Sequence, residues 1–334
     1  MSEAPPPEVS QAAHARAAAR AAGDWTEADR LKALIEAAGW KIVDRGTHFA
    51  LSLAGPRDVV ETGRVRYGRS DAVPSRLGEP ASVPVTMVTR ATDAPEDLAR
   101  LLGALRRFAP EGSQVVIVAD APSAEQTAAL DAPDGPATEP ISVSAPEIVW
   151  TVERLGLAGA ANAGLRRAVG RTVILVDPSV EPTGDILTPL VRALDDPSVA
   201  VVGDLGATSV DLRRFADASA GDVDTIDGTL MAFRREEVLA RGPLDERFWT
   251  ERYIDTWWSF VLRDDDDDDS SEPRRALRID GLPLVRHDRR VDPSISDEQR
   301  ARLDKRAFYR FIERFGGRSD LLVVNREARR PAEG

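Results

Sequence analysis

Apolar positions along the chain follow two different periods. Between Gln11 and Gly39 they recur at helical spacing, and Trp25, Ala28, Leu31, Leu34 and Ile35 form one stripe, so two helices are predicted, broken at Gly23. Asp24 with Glu27 three residues on reads as a capping box for the second helix. Residues 40–43 and 47–53 then alternate as strands around Asp44-Arg45-Gly46, a β-hairpin. From Val83 onward the pattern changes: residues 83–89, 115–118, 148–151, 172–176 and 199–202 are short runs that are apolar at nearly every position. Such runs belong to strands covered on both faces. Helical patterns stand between them: Leu98, Leu101, Leu102, Leu105 and Phe108 after an N-cap at Asp93 with Glu96, and Ile186, Leu187, Leu190, Val191 and Leu194. Alternation of this kind predicts βαβ units, parallel strands and right-handed crossovers. Residues 225–234 read as a further strand and 236–241 as a short helix closed by Gly242-Pro243. Leu303, Ala307, Phe308, Phe311, Ile312 and Phe315 predict a long amphipathic helix over 297–315, and residues 321–324 a last strand.

The domain organisation follows. Residues 1–9 are a disordered tail, 10–53 a helical hairpin plus β-hairpin, 54–82 a linker with room for a short strand or two, 83–325 the main domain, and 326–334 a charged tail. Residues 124–146 read mostly as loop with one short helix. The fold class is α/β, a Rossmann-type mixed, mostly parallel sheet preceded by the small unit.

Composition narrows the chemistry. Cysteine is absent, which removes disulfides, thiolate nucleophiles and Cys-based zinc sites, and three histidines (His14, His48, His287) exclude a His-rich metal cage. The net charge of −12 argues against general nucleic-acid binding, which rests on a basic surface releasing counterions. No apolar run approaches the roughly 20 residues of a membrane span, and the start MSEAPPPEVS lacks the basic and apolar regions of a signal peptide, so a cytoplasmic location is expected.

Residues 154–182 organise the rest. Gly156, Gly159, Asn162 and Gly164 offer a backbone that a ligand can approach, in a short helical segment expected to end at Gly170. The apolar strand 172–176 stops at Asp177-Pro178. Carboxyl ends of parallel strands are where open α/β sheets place ligand chemistry, which makes Asp177 the first candidate.

Ala161-Asn162-Ala163-Gly164, Ala168-Val169-Gly170 and Ile174-Leu175-Val176-Asp177 together resemble the family 2 glycosyltransferases of the GT-A fold, a likeness that extends over about residues 83–315. The resemblance implies a GT-A-like domain that moves a sugar from a nucleotide-sugar donor to an acceptor, with inversion. It implies Thr89 and Asp120 as base and ribose contacts and Asn162 near the nucleotide. It implies a divalent cation, Mg²⁺ or Mn²⁺, on Asp177, with His287 matching a late histidine that some members add. The family's Asp-x-Asp is broken, because position 179 is Ser; Arg286, Arg289 or Arg290 then become alternative sources of positive charge. In residues 248–263 Asp255 takes the place of the family's general base, but Ile254 replaces the Glu that usually precedes it. At helical spacing Asp255, Ser259 and Arg263 share one face. Trp257 and Trp258 read either as core or as an acceptor-side platform for a sugar ring. With both signature pairs altered, a non-catalytic descendant that keeps the fold for binding or scaffolding is the rival reading. The six carboxylates Asp264 to Asp269 read as a solvated loop, since unspaced like charges repel.

The N-terminal unit has its own resemblance. Arg16, Arg20, Asp24-Trp25, Ala28-Asp29, Leu34, Gly39 and Asp44 to Gly46 are similar to the small C-terminal region of cysteinyl-tRNA synthetases. The synthetase's catalytic domain is missing, so aminoacylation is not implied. RNA contact is the functional reading and a docking or dimerisation cap the plainer one. Six basic residues against six acidic ones between Glu8 and Arg45 favour the cap.

Overall fold

The computed structural model describes residues 5–45, 48–53, 55–61, 63–132, 135, 145–264, 273–289 and 295–327. It divides into two compact units, Met1–Asp58 and Val59–Gly334. In the first, α1 (Pro7–Ala21) and α2 (Trp25–Ala37) precede an antiparallel pair, β1 (Trp40–Arg45) and β2 (His48–Leu53). Asp24 caps α2 by accepting the Glu27 N–H at 3.0 Å, while the Glu27 carboxylate turns to Arg30 at 2.6 Å rather than back to the cap. Val9, Ala13, Ile35, Trp40 and Ile42 are the core; Trp25 and Leu34, at the margins of the expected stripe, stay exposed. Arg16 grips Asp44 with both Nη groups at 2.8 and 3.1 Å, and Arg20 stands 3.3 Å from the same carboxylate. Residues that carry the synthetase likeness therefore tie α1 to β1 within this unit.

The second unit begins inside the expected linker: β3 (Val59–Glu61) and β4 (Arg64–Tyr67) join the main sheet. There follow β5 (Val83–Ala91), α3 (Pro95–Phe108), β6 (Gln114–Ala119), α4 (Ala124–Asp131), β7 (Glu147–Thr151), α5 (Gly156–Leu165) and β8 (Gly170–Val176). Next come β9 (Val180–Pro182), α6 (Leu187–Ala193), β10 (Val199–Gly203), β11 (Gly206–Ser209), β12 (Phe215–Asp217), β13 (Gly221–Val223), β14 (Thr225–Ile226) and β15 (Leu230–Arg234). The unit closes with α7 (Glu236–Arg241), α8 (Ile254–Arg263), β16 (Arg275–Arg278), β17 (Leu284–Arg286), α9 (Asp297–Phe315) and α10 (Val323–Glu327). Among the described residues the main sheet has ten strands in the order β13-β16-β10-β15-β8-β5-β6-β7-β4-β3. Pairing directions show β3, β13 and β15 running against the other seven, a mixed and mostly parallel sheet.

Alternate residues of the central strands feed two cores. Met87, Ile117 and Ile174 face α3 and α6, whereas Val88, Val116, Val118 and Val173 face α5, α8 and α9. That three-layer arrangement is the reason the strands read as continuous apolar runs. The glycines of the central stretch serve this packing. A Cβ on Gly164 would stand 2.3 Å from Val88 Cγ1, and one on Gly170 2.4 Å from the Thr86 nitrogen. Helix α5 and the start of β8 thus lie directly on β5, and Gly170 opens a strand instead of ending a helix, which corrects the expectation of a ligand-facing backbone.

Four further expectations are corrected. Helix α3 starts at Pro95 behind Ala94, and Asp93 is held by Arg154 rather than capping. Residues 225–234 split into β14 and β15 around a turn. Residues 321–324 form the end of a 3₁₀ turn and the start of α10, not a strand. The run read as a solvated loop begins at Asp264, which is buried against Arg318; Asp265 to Asp269 lie outside the described residues. Helix α9 matches its expected bounds and is opened by a capping box of Ser296 and Gln299. Among the described residues no helix is long and apolar enough to cross a membrane.

Candidate active site

Two hollows meet at the carboxyl ends of the central strands. The first, of about 170 Å³, is lined by Val88 to Thr92 of β5 and its end, by Val118, by Leu175 to Ser179, and by Leu157, Ala160 and Ala161 of α5; Gln126 of α4 and Trp258 of α8 complete much of the wall. The second, of about 790 Å³, lies between the β11–β12 hairpin, Arg278 and the segment 251–256. Glu251, Asp255 and Arg289 line both.

Asp255 owes its position to the backbone. Tyr253 adopts φ 66°, a left-handed conformation that an L residue with a bulky side chain reaches only when its surroundings hold it there. The turn delivers Asp255 to the first turn of α8, where its carboxylate accepts the Thr256 N–H at 2.7 Å and the Gly228 N–H at 3.4 Å. Burial together with the negative charge of Asp227 pushes this carboxyl up to about 6, against the two N–H donors and the positive charge of Arg289. Asp227 is itself tied to the Thr229 N–H at 2.8 Å. The expected face Asp255-Ser259-Arg263 exists but points inward beyond its first member. Ser259 Oγ accepts the Ile226 N–H at 3.1 Å, and the fully buried Arg263 donates to the carbonyl oxygens of Asp224 at 2.7 Å and Arg274 at 3.0 Å.

Asp177 lies in the first hollow directly after β8. Its Oδ1 accepts the Ser179 N–H at 2.9 Å and the Ser179 hydroxyl at 2.6 Å, and its Oδ2 is 3.3 Å from Arg289 Nε. Antiparallel pairing of β9 with β17 carries His287 alongside, but the imidazole Nε2 meets Glu181 at 2.7 Å. Arg286 is spent on Asp204, at 2.7 and 2.9 Å, and on the Thr229 hydroxyl at 2.6 Å; Arg290 lies outside the described residues. A divalent cation needs free, convergent oxygen donors. Here a hydroxyl and a guanidinium already take both oxygens of Asp177, His287 points to another carboxylate, and among the described residues no three acidic, His or Cys side chains gather into a cation site. This donor set does not fit the cation that the resemblance implies. Arg289, whose only ion pair among the described residues is with Asp177, is the positive group beside that carboxylate.

The other expected residues separate. Thr89 lines the first hollow. Asp120, at the end of the neighbouring strand, is fully buried and accepts from Arg90 Nε at 2.8 Å, the Leu155 N–H at 2.7 Å and the Thr151 hydroxyl at 3.2 Å; it is not part of the wall. Asn162 is buried and brackets Leu244, donating to its carbonyl at 2.8 Å and accepting its N–H at 2.9 Å. Trp257 packs on Phe248 and lines neither hollow. Trp258 packs edge-on to Phe233 in the core and lines the first hollow, so neither indole lines the second. Gln126 had no sequence signal, because its segment lacks an apolar period. Among the described residues the buried side-chain polar atoms without a partner are Thr89 Oγ1, both amide atoms of Gln126, Trp258 Nε1 and some arginine nitrogens. Every one that is not an arginine lines the first hollow.

Residues 86–266 match the sequence profile of Glycosyl transferase family 2. None of the curated proteins matches the chain. Among solved structures it is similar to a mannosyltransferase from Pyrobaculum calidifontis in complex with GDP-Man and Mn²⁺, at 19% identity and TM-score 0.49, over 75% of this chain and 73% of that one. It is similar to GalNAc-T7 with UDP, GalNAc and Mn²⁺, at 13% identity and TM-score 0.52, over 69% of this chain and 48% of that one. A third is S. aureus TarS 1-349 in complex with UDP, at 12% identity and TM-score 0.49, over 73% and 70%. The GalNAc-T7 likeness shows a shared fold.

Proposed function

The chain belongs to glycosyl transferase family 2, and from that premise we propose that the first hollow holds a nucleotide-sugar donor, the second an acceptor, and that Asp255 is the base of an inverting transfer between them. The observation that carries this reading is the place of Asp255 on the wall common to both hollows, with its carboxyl raised to about 6. A carboxylate poised there accepts a proton from an acceptor hydroxyl as that oxygen attacks the anomeric carbon. The bond from that carbon to the diphosphate oxygen breaks, and its electron pair leaves with the nucleoside diphosphate.

The leaving diphosphate needs a positive partner. In the neighbours named above that are complexed with Mn²⁺ a cation is present; in this chain Arg289 is the group beside Asp177 that supplies the charge, while Asp177 and Ser179 set its position. The N-terminal unit takes no part in the transfer and acts as a docking cap, since its arginines Arg16 and Arg20 are engaged by Asp44.

The test is release of nucleoside diphosphate by the full chain from UDP-, GDP- and dTDP-sugars across a broad acceptor panel, with Mn²⁺ and with a chelator. Turnover that survives chelation and is lost in Asp255→Asn supports the reading. Binding of a sugar nucleotide with no release under any condition supports a non-catalytic scaffold, the reading that the altered pairs at 179 and 254 favour.

A further inference from the structure

Gln126 sits in the first turn of α4, its N–H held by the Ser123 hydroxyl at 3.1 Å, and no part of it is exposed. An amide in such a place ordinarily bonds to its neighbours, because a buried donor or acceptor left unmade keeps its full desolvation cost. Among the described residues neither amide atom of Gln126 has a partner, nor does the hydroxyl of Thr89, 2% exposed, on the adjoining wall. Either orientation of the amide leaves one donor and one acceptor side by side. The resemblance counts Asp120 with Thr89 as base and ribose contacts, but three donors converge on that carboxylate and it is absent from the wall.

We infer that Gln126 reads the base of the donor nucleotide, its amide pairing with a base edge that carries a donor beside an acceptor, with the Thr89 hydroxyl as a further contact. The inference rests on the first hollow being the donor site. Gln126 is then the specificity-determining residue at this end of the cavity, and the cost of keeping its amide dry in the free chain is recovered when the base enters. A site built to hydrogen-bond its ligand rejects a ligand with the wrong edge more strongly than an apolar wall does.

Titration calorimetry of the full chain with UDP, GDP, dTDP, ADP and CDP tests this, on wild type, Gln126→Leu, Gln126→Met and Thr89→Val. Wild type is expected to prefer one base, and both Gln126 variants to lose about tenfold or more in affinity for it while the ranking flattens. Their ligand-free melting temperature should hold or rise, since an unsatisfied amide is removed; a structural glutamine would show the reverse. Thr89→Val should weaken binding less. Unchanged affinity in a folded Gln126 variant, or an equal loss for all five nucleotides, overturns the inference and leaves the donor site standing. Wild-type protein that binds none of the five overturns both.

Discussion

Asp120 and Asp255 are carboxylates at the same end of the sheet, the first fully buried and the second half-buried, and their surroundings treat them in opposite ways. Asp120 has a guanidinium, a backbone N–H and a hydroxyl directed at its oxygens. Asp255 has two backbone N–H groups at 2.7 and 3.4 Å and the Thr256 hydroxyl at 3.4 Å, and a second carboxylate, Asp227, close enough to raise it. One arrangement spends the acid on holding β5, β6 and α5 together. The other leaves it short of donors beside open space, where a proton has somewhere to come from. Burial by itself therefore does not mark a reactive acid in this fold; the balance of donors around it does.

The largest effect expected is on turnover. Asp255→Asn should keep nucleotide affinity and lower the rate of diphosphate release by roughly 10² to 10⁴-fold, as loss of a general base does. Next, Asp120→Ala should cost about 1–3 kcal/mol in urea unfolding, because the Leu155 N–H, the buried Thr151 hydroxyl and Arg90 each lose an acceptor. Third, Asp255→Asn should stabilise the protein at neutral pH, by up to about 3 kcal/mol, the opposite of what removing a structural acid does. The sign follows from linkage: a carboxyl raised in the folded state favours folding while protonated, and that gain is lost as pH rises through about 6. The gap between variant and wild type should thus be small at acid pH, open on the way to about 6 and stay level above it. Fourth, the rate should fall below about pH 6, and Asp227→Asn should move that limb to lower pH, since Asp227 is one cause of the raised value. The charged groups that set this profile are Asp227, which raises the Asp255 carboxyl, and Arg289, which lowers it. The smallest effect concerns the N-terminal unit: a chain lacking residues 1–55 should bind nucleotide as the full chain does, measured by the same titration.

How much of this was legible in the sequence depends on the range of the interactions involved. Helix 297–315 and the strands read over 83–89, 115–118 and 172–176 were legible because apolar period and its interruption are local. The glycines at 164 and 170 misled because freedom of the backbone and closeness of packing call for the same residue; Val88 and Thr86, which they accommodate, are about 75 to 85 positions away. Arg289 was one of three arginines in line for its role, and only the pairing of β9 with β17 separates it from Arg286, which Asp204 claims. Gln126 left no trace, because an unmet hydrogen bond is a property of the folded surroundings and not of the residue.

The wall common to the two hollows bears on how such a protein changes its substrates. Thr89 and Gln126 belong to one hollow, Arg213 and Arg214 to the other, so on the proposed reading of the hollows as donor and acceptor sites the two preferences can drift separately through them. Glu251, Asp255 and Arg289 belong to both, and any replacement there is felt by two substrates at once. Over evolutionary time these three positions are the hinge on which both preferences turn together, and altering one partner alone requires leaving them as they are.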